Sequence, residues 1–214
     1  MALQWIFFDV GYTLSNEDEA WLARCREQAG TEEARRLGVT ALELYRDVME
    51  ASRNHLPQFR TVIDKYRFSQ TAPFRSELET LYPDAPPVLD ALSRRYSLGV
   101  IANQAAGLAD RLRAWGIGRY FSAVASSFEA GVTKPDPALF RLALKQAGCA
   151  PENAAMVGDR LDNDVFPAKG LGMKTVWVRR GFGALQQPRN AQETPDHVVD
   201  TLTELLPLFL NGGC

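Results

Sequence analysis

The sequence predicts an α/β protein: a doubly wound parallel sheet with a helical segment inserted near its start. Three observations carry that prediction. Short apolar runs recur from the N-terminus to about residue 178, helix-patterned segments separate the later ones, and residues 16 to 83 hold helical patterns alone. Strands that alternate with helices pair in parallel and are covered on both faces. A chain of 214 residues is long enough for one such domain with a small insert and a sizeable core.

The first element is Trp5-Ile6-Phe7-Phe8, an apolar run that ends abruptly in Asp9-Val10-Gly11-Tyr12-Thr13-Leu14. Such a run reads as a strand buried on both faces. Asp9 then emerges where the strand meets solvent, the edge at which open α/β sheets bind ligands. The polar stretch Ser15-Asn16-Glu17-Asp18-Glu19 suits a helix start. Thr40-Ala41-Leu42-Glu43 has the capping-box pattern and opens a helix carrying Leu44, Val48 and Met49 on one side. Pro57, Pro73 and Pro83 divide the remainder into short helices, and no strand is expected before Pro83. Beyond it the pattern predicts a helix over 88–95, a strand over 98–102, a helix over 108–115 stopped by Gly116, and a short strand over 123–125. Asp136 and Pro137 suit the N-cap and first position of a helix closed by Gly148. Strands over 154–157 and 175–178 follow, and a closing helix over 201–210 despite Pro207.

Composition narrows the function. A hydrophobic fraction of 46% and a charged fraction of 23% are those of an ordinary globular protein. The net charge of -2 argues against general binding to nucleic acid or a membrane surface, while leaving room for a small anionic ligand. Cys25, Cys149 and Cys214 lie far apart without metal-ligand spacing, so reduced thiols in a cytoplasmic protein are expected. The N-terminal apolar stretch lacks a basic leader and is cut short by Asp9, unlike a secretory signal. No apolar run approaches the length of a membrane span.

Topology brings distant residues together. In a doubly wound sheet the first and fourth strands adjoin at the switch point, which sets Asp9 beside Asp159. Two like charges in a partly buried crevice are costly unless something neutralises them. A divalent cation does so, and oxygen donors suit Mg²⁺.

Four stretches occur in order: Phe8-Asp9-x-x-x-Thr13-Leu14, Val100-Ile101-Ala102-Asn103, Lys134-Pro135-Asp136-Pro137, and Val157-Gly158-Asp159 with Asp164 five positions on. Together they resemble the motifs of the haloacid dehalogenase-like (HAD) superfamily, subfamily I, with a helical C1-type cap. The resemblance implies a Rossmann-like core of residues 1–15 and 84–214 and a cap of residues 16–83. It implies a Mg²⁺-dependent hydrolase, a phosphatase acting on a small phosphorylated metabolite through an aspartyl phosphate. In that reading Asp9 is the nucleophile, Lys134 stabilises developing charge, and Thr13 and Asn103 orient the site and substrate. Asp9, the Gly11 carbonyl, Asp159 and Asp164 hold the metal, Asp164 through water. Lys134 is one of only five lysines, and a single ammonium near Asp9 would keep that carboxylate ionised. The sequence leaves the substrate and the oligomeric state open.

Two departures stand out. Ala102 replaces the usual Ser or Thr that contacts a phosphate oxygen, so that substrate contact is absent or comes from elsewhere, such as the backbone N–H groups of residues 104–106. Gly11 replaces the aspartate that protonates the leaving oxygen and then activates water. Loss of such a group costs about 10²–10⁴ in rate, so turnover is expected to be slow and Gly11→Asp to raise it. Tyr12, a bound water or a cap residue are the candidates to replace it. A halide leaving group needs no proton, which admits a 2-haloacid dehalogenase, although those enzymes work without metal and this chain keeps Asp159 and Asp164. A degenerate fold that binds a phosphometabolite or protein without turnover is the other alternative. Asp162 and Asn163 receive no role. The basic and aromatic residues of 53–75 could attract an anionic substrate and stack on it, but such a stretch is more often a solvated helix face with its aromatics in a core; His55 and His197 lack metal-ligand spacing.

Overall fold

The computed structural model describes residues 2–211; Cys214 lies outside them. In chain order the elements are β1 (Trp5–Phe8), β2 (Ser15–Asn16), α1 (Asp18–Ala29), α2 (Glu32–Leu37), α3 (Ala41–Arg53), α4 (Gln58–Tyr66), β3 (Thr80–Leu81), α5 (Ala85–Ser93), β4 (Ser97–Ala102), α6 (Leu108–Ala114), β5 (Phe121–Ser126), α7 (Ser127–Ala130), α8 (Pro137–Ala147) and β6 (Ala154–Gly158). A π-helical turn at Leu161–Val165 leads into α9 (Phe166–Gly170), followed by β7 (Lys174–Val178), β8 (His197–Val199) and α10 (Leu205–Leu210).

Six strands form one parallel sheet in the order β5-β4-β1-β6-β7-β8. The α/β doubly wound class expected from the sequence is therefore observed. Strand β1 lies at its centre, with Phe8 level with Val100 of β4 and Val157 of β6. Alternation along β1 explains why all of it is apolar. Ile6 and Phe8 enter a core with Leu89, Leu92, Leu112, Leu205 and Phe209, while Phe7 points into the opposite core with Leu139, Phe140 and Met156. Each face of the sheet is thus closed by helices, as side chains on successive residues of a strand demand.

Local chemistry sets the helix ends. Thr40 and Glu43 form the reciprocal capping box, and the Asp136 side chain accepts from the Ala138 N–H at 2.8 Å at the start of α8. Gly148 closes that helix in the left-handed conformation. Phe140 is fully buried on the inner face of α8. Truncation by Phe140→Ala leaves a cavity there and should cost about 3–5 kcal/mol, measured by urea unfolding, with the active-site residues untouched.

Several elements differ from expectation, among them the short helices α7 and α9, which the sequence does not announce, and β2, which occupies Ser15–Asn16 where a helix start is expected. Strand β3 interrupts the stretch expected to be helical to Pro83: it pairs antiparallel with β2, and the Tyr82 N–H donates to Leu14 C=O at 2.9 Å. Two-residue strands have no periodicity to read; only closure of the chain on itself creates them. Strand β8 is likewise short and is not among the strands the apolar pattern predicts. The closing helix begins as a 3₁₀ turn at Leu202–Glu204, capped by Thr201 and Glu204, before α10.

Helices α1 to α4 pack around their own apolar cluster of Trp21, Cys25, Leu44, Val48, Phe59 and Val62, which also takes in Tyr12 and Phe182. Phe182 meets Tyr12, Trp21 and Tyr45 edge-on at 5.2, 5.5 and 5.3 Å. The Ser52 hydroxyl donates to the Phe182 carbonyl at 3.1 Å. The basic residues of 53–75 behave as a solvated face. Arg53, Arg60, Lys65 and Arg75 pair with Glu50, Asp64, Asp47 and Glu27, while Phe59 and Phe68 are buried.

Candidate active site

Asp9 follows β1 and Asp159 follows β6. Because these strands are parallel neighbours, both carboxylates leave the sheet at the same edge, and the Asp9 N–H donates to Val157 C=O at 2.9 Å. Asp164 reaches the same point from the π-helical turn. Carboxylate oxygens of Asp9, Asp159 and Asp164 lie within 4.8 Å of one another, and all three residues are buried. Asp164 fits because Gly158 has no side chain: a Cβ there would meet the Asp164 carboxyl carbon at 2.4 Å.

Lys134 enters this cluster from the loop before α8. Its ammonium donates to Asp9 Oδ1 and to Asp164 Oδ1, each at 2.6 Å. Asn103, just after β4, holds that loop by two hydrogen bonds to its backbone. The Asn103 amide donates to the Lys134 carbonyl at 3.0 Å, and the Lys134 N–H donates to Asn103 Oδ1 at 2.7 Å. Asn103 therefore places Lys134, while also lining the cavity.

The electrostatics follow from burial. Burial alone would lower the Lys134 pKa, but the charges of Asp164 and Asp9 outweigh it and raise it, so the ammonium stays protonated. Burial raises Asp164 to about 6 against the opposing pull of Lys134. Burial, then the charges of Asp9 and Asp164, push Asp159 well above the usual carboxylate range. One ammonium thus faces three enclosed acids. This all-oxygen donor set with excess negative charge fits Mg²⁺, which takes carboxylates and retains waters.

Not every expected residue reaches the cavity. Gly11, Asn103 and Lys134 line it with the three acids, around a space of about 340 Å³. Ala102 is fully buried and packs into the main core. Thr13 is fully buried too, in the turn after Asp9, and among the described residues its hydroxyl has no hydrogen-bond partner. Arg160 pairs with Asp162, and Gln186 donates to Asp162 Oδ1 at 2.9 Å, so Asp162 ties the loop over 181–186 to the site's edge. Arg180 pairs with Asp84 and donates to the Thr13 carbonyl.

Sequence reasoning missed most of the cavity groups that come from the helical segment, among them Glu17, Trp21 and Arg24 at the start of α1. Glu17 stands at the N-cap of α1 but makes no capping bond; its Oε2 accepts from Trp21 Nε1 at 3.0 Å. Burial, then the charge of Glu79, raises its pKa to about 8, with the Trp21 bond opposing. Glu79 is itself buried and accepts from the Ser15 hydroxyl at 3.0 Å. Glu17 sits in a run of acids that any helix start would carry, which hid it. The Arg24 guanidinium stacks 3.8 Å over Phe59 and donates to the Ala72 carbonyl at 2.9 Å.

A parallel sheet in this strand order, with acids gathered where two central strands end, defines a Rossmann-type α/β protein whose ligand crevice lies at the switch point. A family model described as HAD-hydrolase-like matches residues 132–205. A glyceraldehyde 3-phosphate phosphatase of Methanopyrus kandleri is 41% identical over 130 residues, covering 58% of this chain and 54% of that protein. Phosphoglycolate phosphatase 1 of Pseudomonas aeruginosa is 30% identical over 190 residues, covering 85% of this chain and 68% of the relative. The crystal structure of a HAD phosphatase from Thermococcus onnurineus superposes with a TM-score of 0.69 at 25% identity, covering 99% of both chains. The match to the Methanopyrus protein spans only about half of that relative's length. The chain belongs to the haloacid dehalogenase-like superfamily of hydrolases. Among the described residues, no helix is long and apolar enough to cross a membrane, and Cys25 and Cys149 are free thiols.

Proposed function

We propose that this protein is a Mg²⁺-dependent phosphatase that hydrolyses a small phosphate ester through an aspartyl-phosphate intermediate. The observation that carries this reading is the meeting of Asp9, Asp159 and Asp164 within 4.8 Å, with Lys134 bonded to two of them. The phosphatase names of the relatives support it. The clustered acids favour it over a metal-free dehalogenase, in which the Lys134 ammonium alone would have to balance three enclosed carboxylates.

Asp9 attacks phosphorus in line; its oxygen–phosphorus bond forms as the ester bond breaks. Lys134 keeps Asp9 ionised before attack and offsets charge on the phosphoryl oxygens during it. Asn103 holds Lys134 in place through its backbone. Asp9, the Gly11 carbonyl, Asp159 and, through water, Asp164 would hold Mg²⁺, which supplies charge neutralisation at the phosphoryl group. Residues 16–83 act as a cap over the core, and Trp21, Arg24 and Phe74 on its inner side exclude bulk water from the crevice.

The test is a panel of phosphorylated metabolites and an aryl phosphate, assayed with and without Mg²⁺. Release of phosphate is expected only with the metal, and Mg²⁺ should raise the melting temperature because it binds the folded state alone. Turnover unchanged by a chelator, or chloride release from a 2-chloro acid in its presence, would overturn the proposal.

A further inference from the structure

Glycine at position 11 leaves a gap beside the nucleophile, and the fold fills it. A Cβ built on Gly11 would lie 2.1 Å from Glu17 Oε1, 2.6 Å from its carboxyl carbon and 3.0 Å from Oε2. The carboxyl group of Glu17 therefore occupies the volume into which a side chain at position 11 would project. It lines the same cavity as Asp9 and Lys134. Trp21 Nε1 anchors one oxygen at 3.0 Å. Among the described residues the other oxygen has no hydrogen-bond partner, and it is the one nearer to Gly11.

We propose that Glu17 supplies the acid-base carboxyl group that position 11 lacks, delivered from the N-cap of α1 instead of from the strand-end loop. This assignment rests on the phosphatase reading above. The placement of the group carries it, independent of its charge in the metal-free protein. When the ester bond breaks, the Glu17 carboxyl proton passes to the leaving alkoxide oxygen, and Asp9 is left phosphorylated. The Glu17 carboxylate then takes a proton from water as the water oxygen bonds to phosphorus. The Asp9–phosphorus bond breaks, and Asp9, inorganic phosphate and protonated Glu17 are restored. Because Glu17 belongs to the helical segment, any movement of that segment away from the core withdraws the acid. Phosphoryl transfer is then coupled to closure. Gly11→Asp alone, expected from the sequence to raise turnover, would instead drive a second carboxylate into space already taken.

The decisive comparison is Glu17→Gln, which keeps the size of the group and an oxygen for Trp21. It is assayed by rapid quench with Mg²⁺ on a dinitrophenyl phosphate and on glycerol phosphate, beside the native protein and Asp9→Asn. A dinitrophenolate leaving group needs no proton, so the variant should retain a burst of one phenolate per chain. Water attack then lacks its base, and steady-state turnover should fall by about 10²–10⁴-fold. On glycerol phosphate the burst should vanish as well. A Glu17→Ala variant should regain turnover when Gly11→Asp is added, since the space is then free. Native steady-state rates in Glu17→Gln, or equal loss of the burst on both esters, would overturn the assignment while leaving the phosphatase reading intact. No turnover of either ester by the native protein, with Asp9→Asn indistinguishable from it, would overturn both.

Discussion

Replacing Asp9 by asparagine is expected to abolish turnover, by on the order of 10⁴–10⁶-fold, the range seen when a nucleophile or its activating partner is removed from an enzyme using covalent catalysis. The side chain keeps its volume at the end of β1, and the strand remains held by its pairing with β4 and β6. What is lost is the second anionic oxygen. An amide oxygen is a poor nucleophile, and the amide cannot form the acyl phosphate that the proposed mechanism requires. Lys134 keeps its bond to Asp164, so the fold should survive. Burst kinetics with an aryl phosphate measure the loss, and a circular dichroism melt checks that the protein is folded. A variant that still turns over at more than a hundredth of the native rate would show that Asp9 is not the nucleophile.

Lys134→Met is expected to damage both rate and stability. The ammonium is buried between Asp9 and Asp164, and removing one partner of a buried ionic group leaves charge uncompensated, at a cost of about 3–5 kcal/mol. Turnover should fall by about 10²–10³-fold, the scale of a lost charge-stabilising group in an enclosed site. The two effects can be separated. Mg²⁺ bound beside the same acids should restore much of the lost stability, read as a larger metal-dependent rise in melting temperature than the native protein shows, but not the rate. If Lys134→Met melts at the native temperature without metal, the ammonium is not the group that balances these acids. Lys134→Arg should not rescue, since a planar fork cannot replace a point charge between two carboxylates in so tight a space.

Much of this was legible in the chain because the physics was local. Strands β1, β4, β6 and β7 are buried on both faces, so each is a short apolar run ended by a polar residue, and each was read to within a residue or two. The capping box at Thr40 and the Asp136-Pro137 start of α8 are satisfied by neighbours two or three residues away. The expected meeting of Asp9 and Asp159 needed only strand order, because parallel neighbours end at a common edge. The ribbon of β2 and β3 was not legible, since its pairing joins residues more than sixty positions apart through two residues on each side. Asn103 and Ala102 show the same limit. Both close β4, yet one turns to clamp Lys134 and the other into the core, a matter of which face of the pleat each occupies at the strand's end.

Composition and order along the chain were enough for an α/β sheet and for the meeting of Asp9 with Asp159, because burial writes a pattern into every strand it covers; Asp164 entered only through the family resemblance. Tertiary structure alone decided what stands beside Gly11. The helical segment folds back over the sheet edge, and a carboxyl group from an ordinary-looking helix start comes to rest in the empty volume of a glycine. Nothing in the spacing from residue 11 to residue 17 encodes that contact, since it depends on how α1 docks through Trp21 and Phe182 and not on any periodicity of its own.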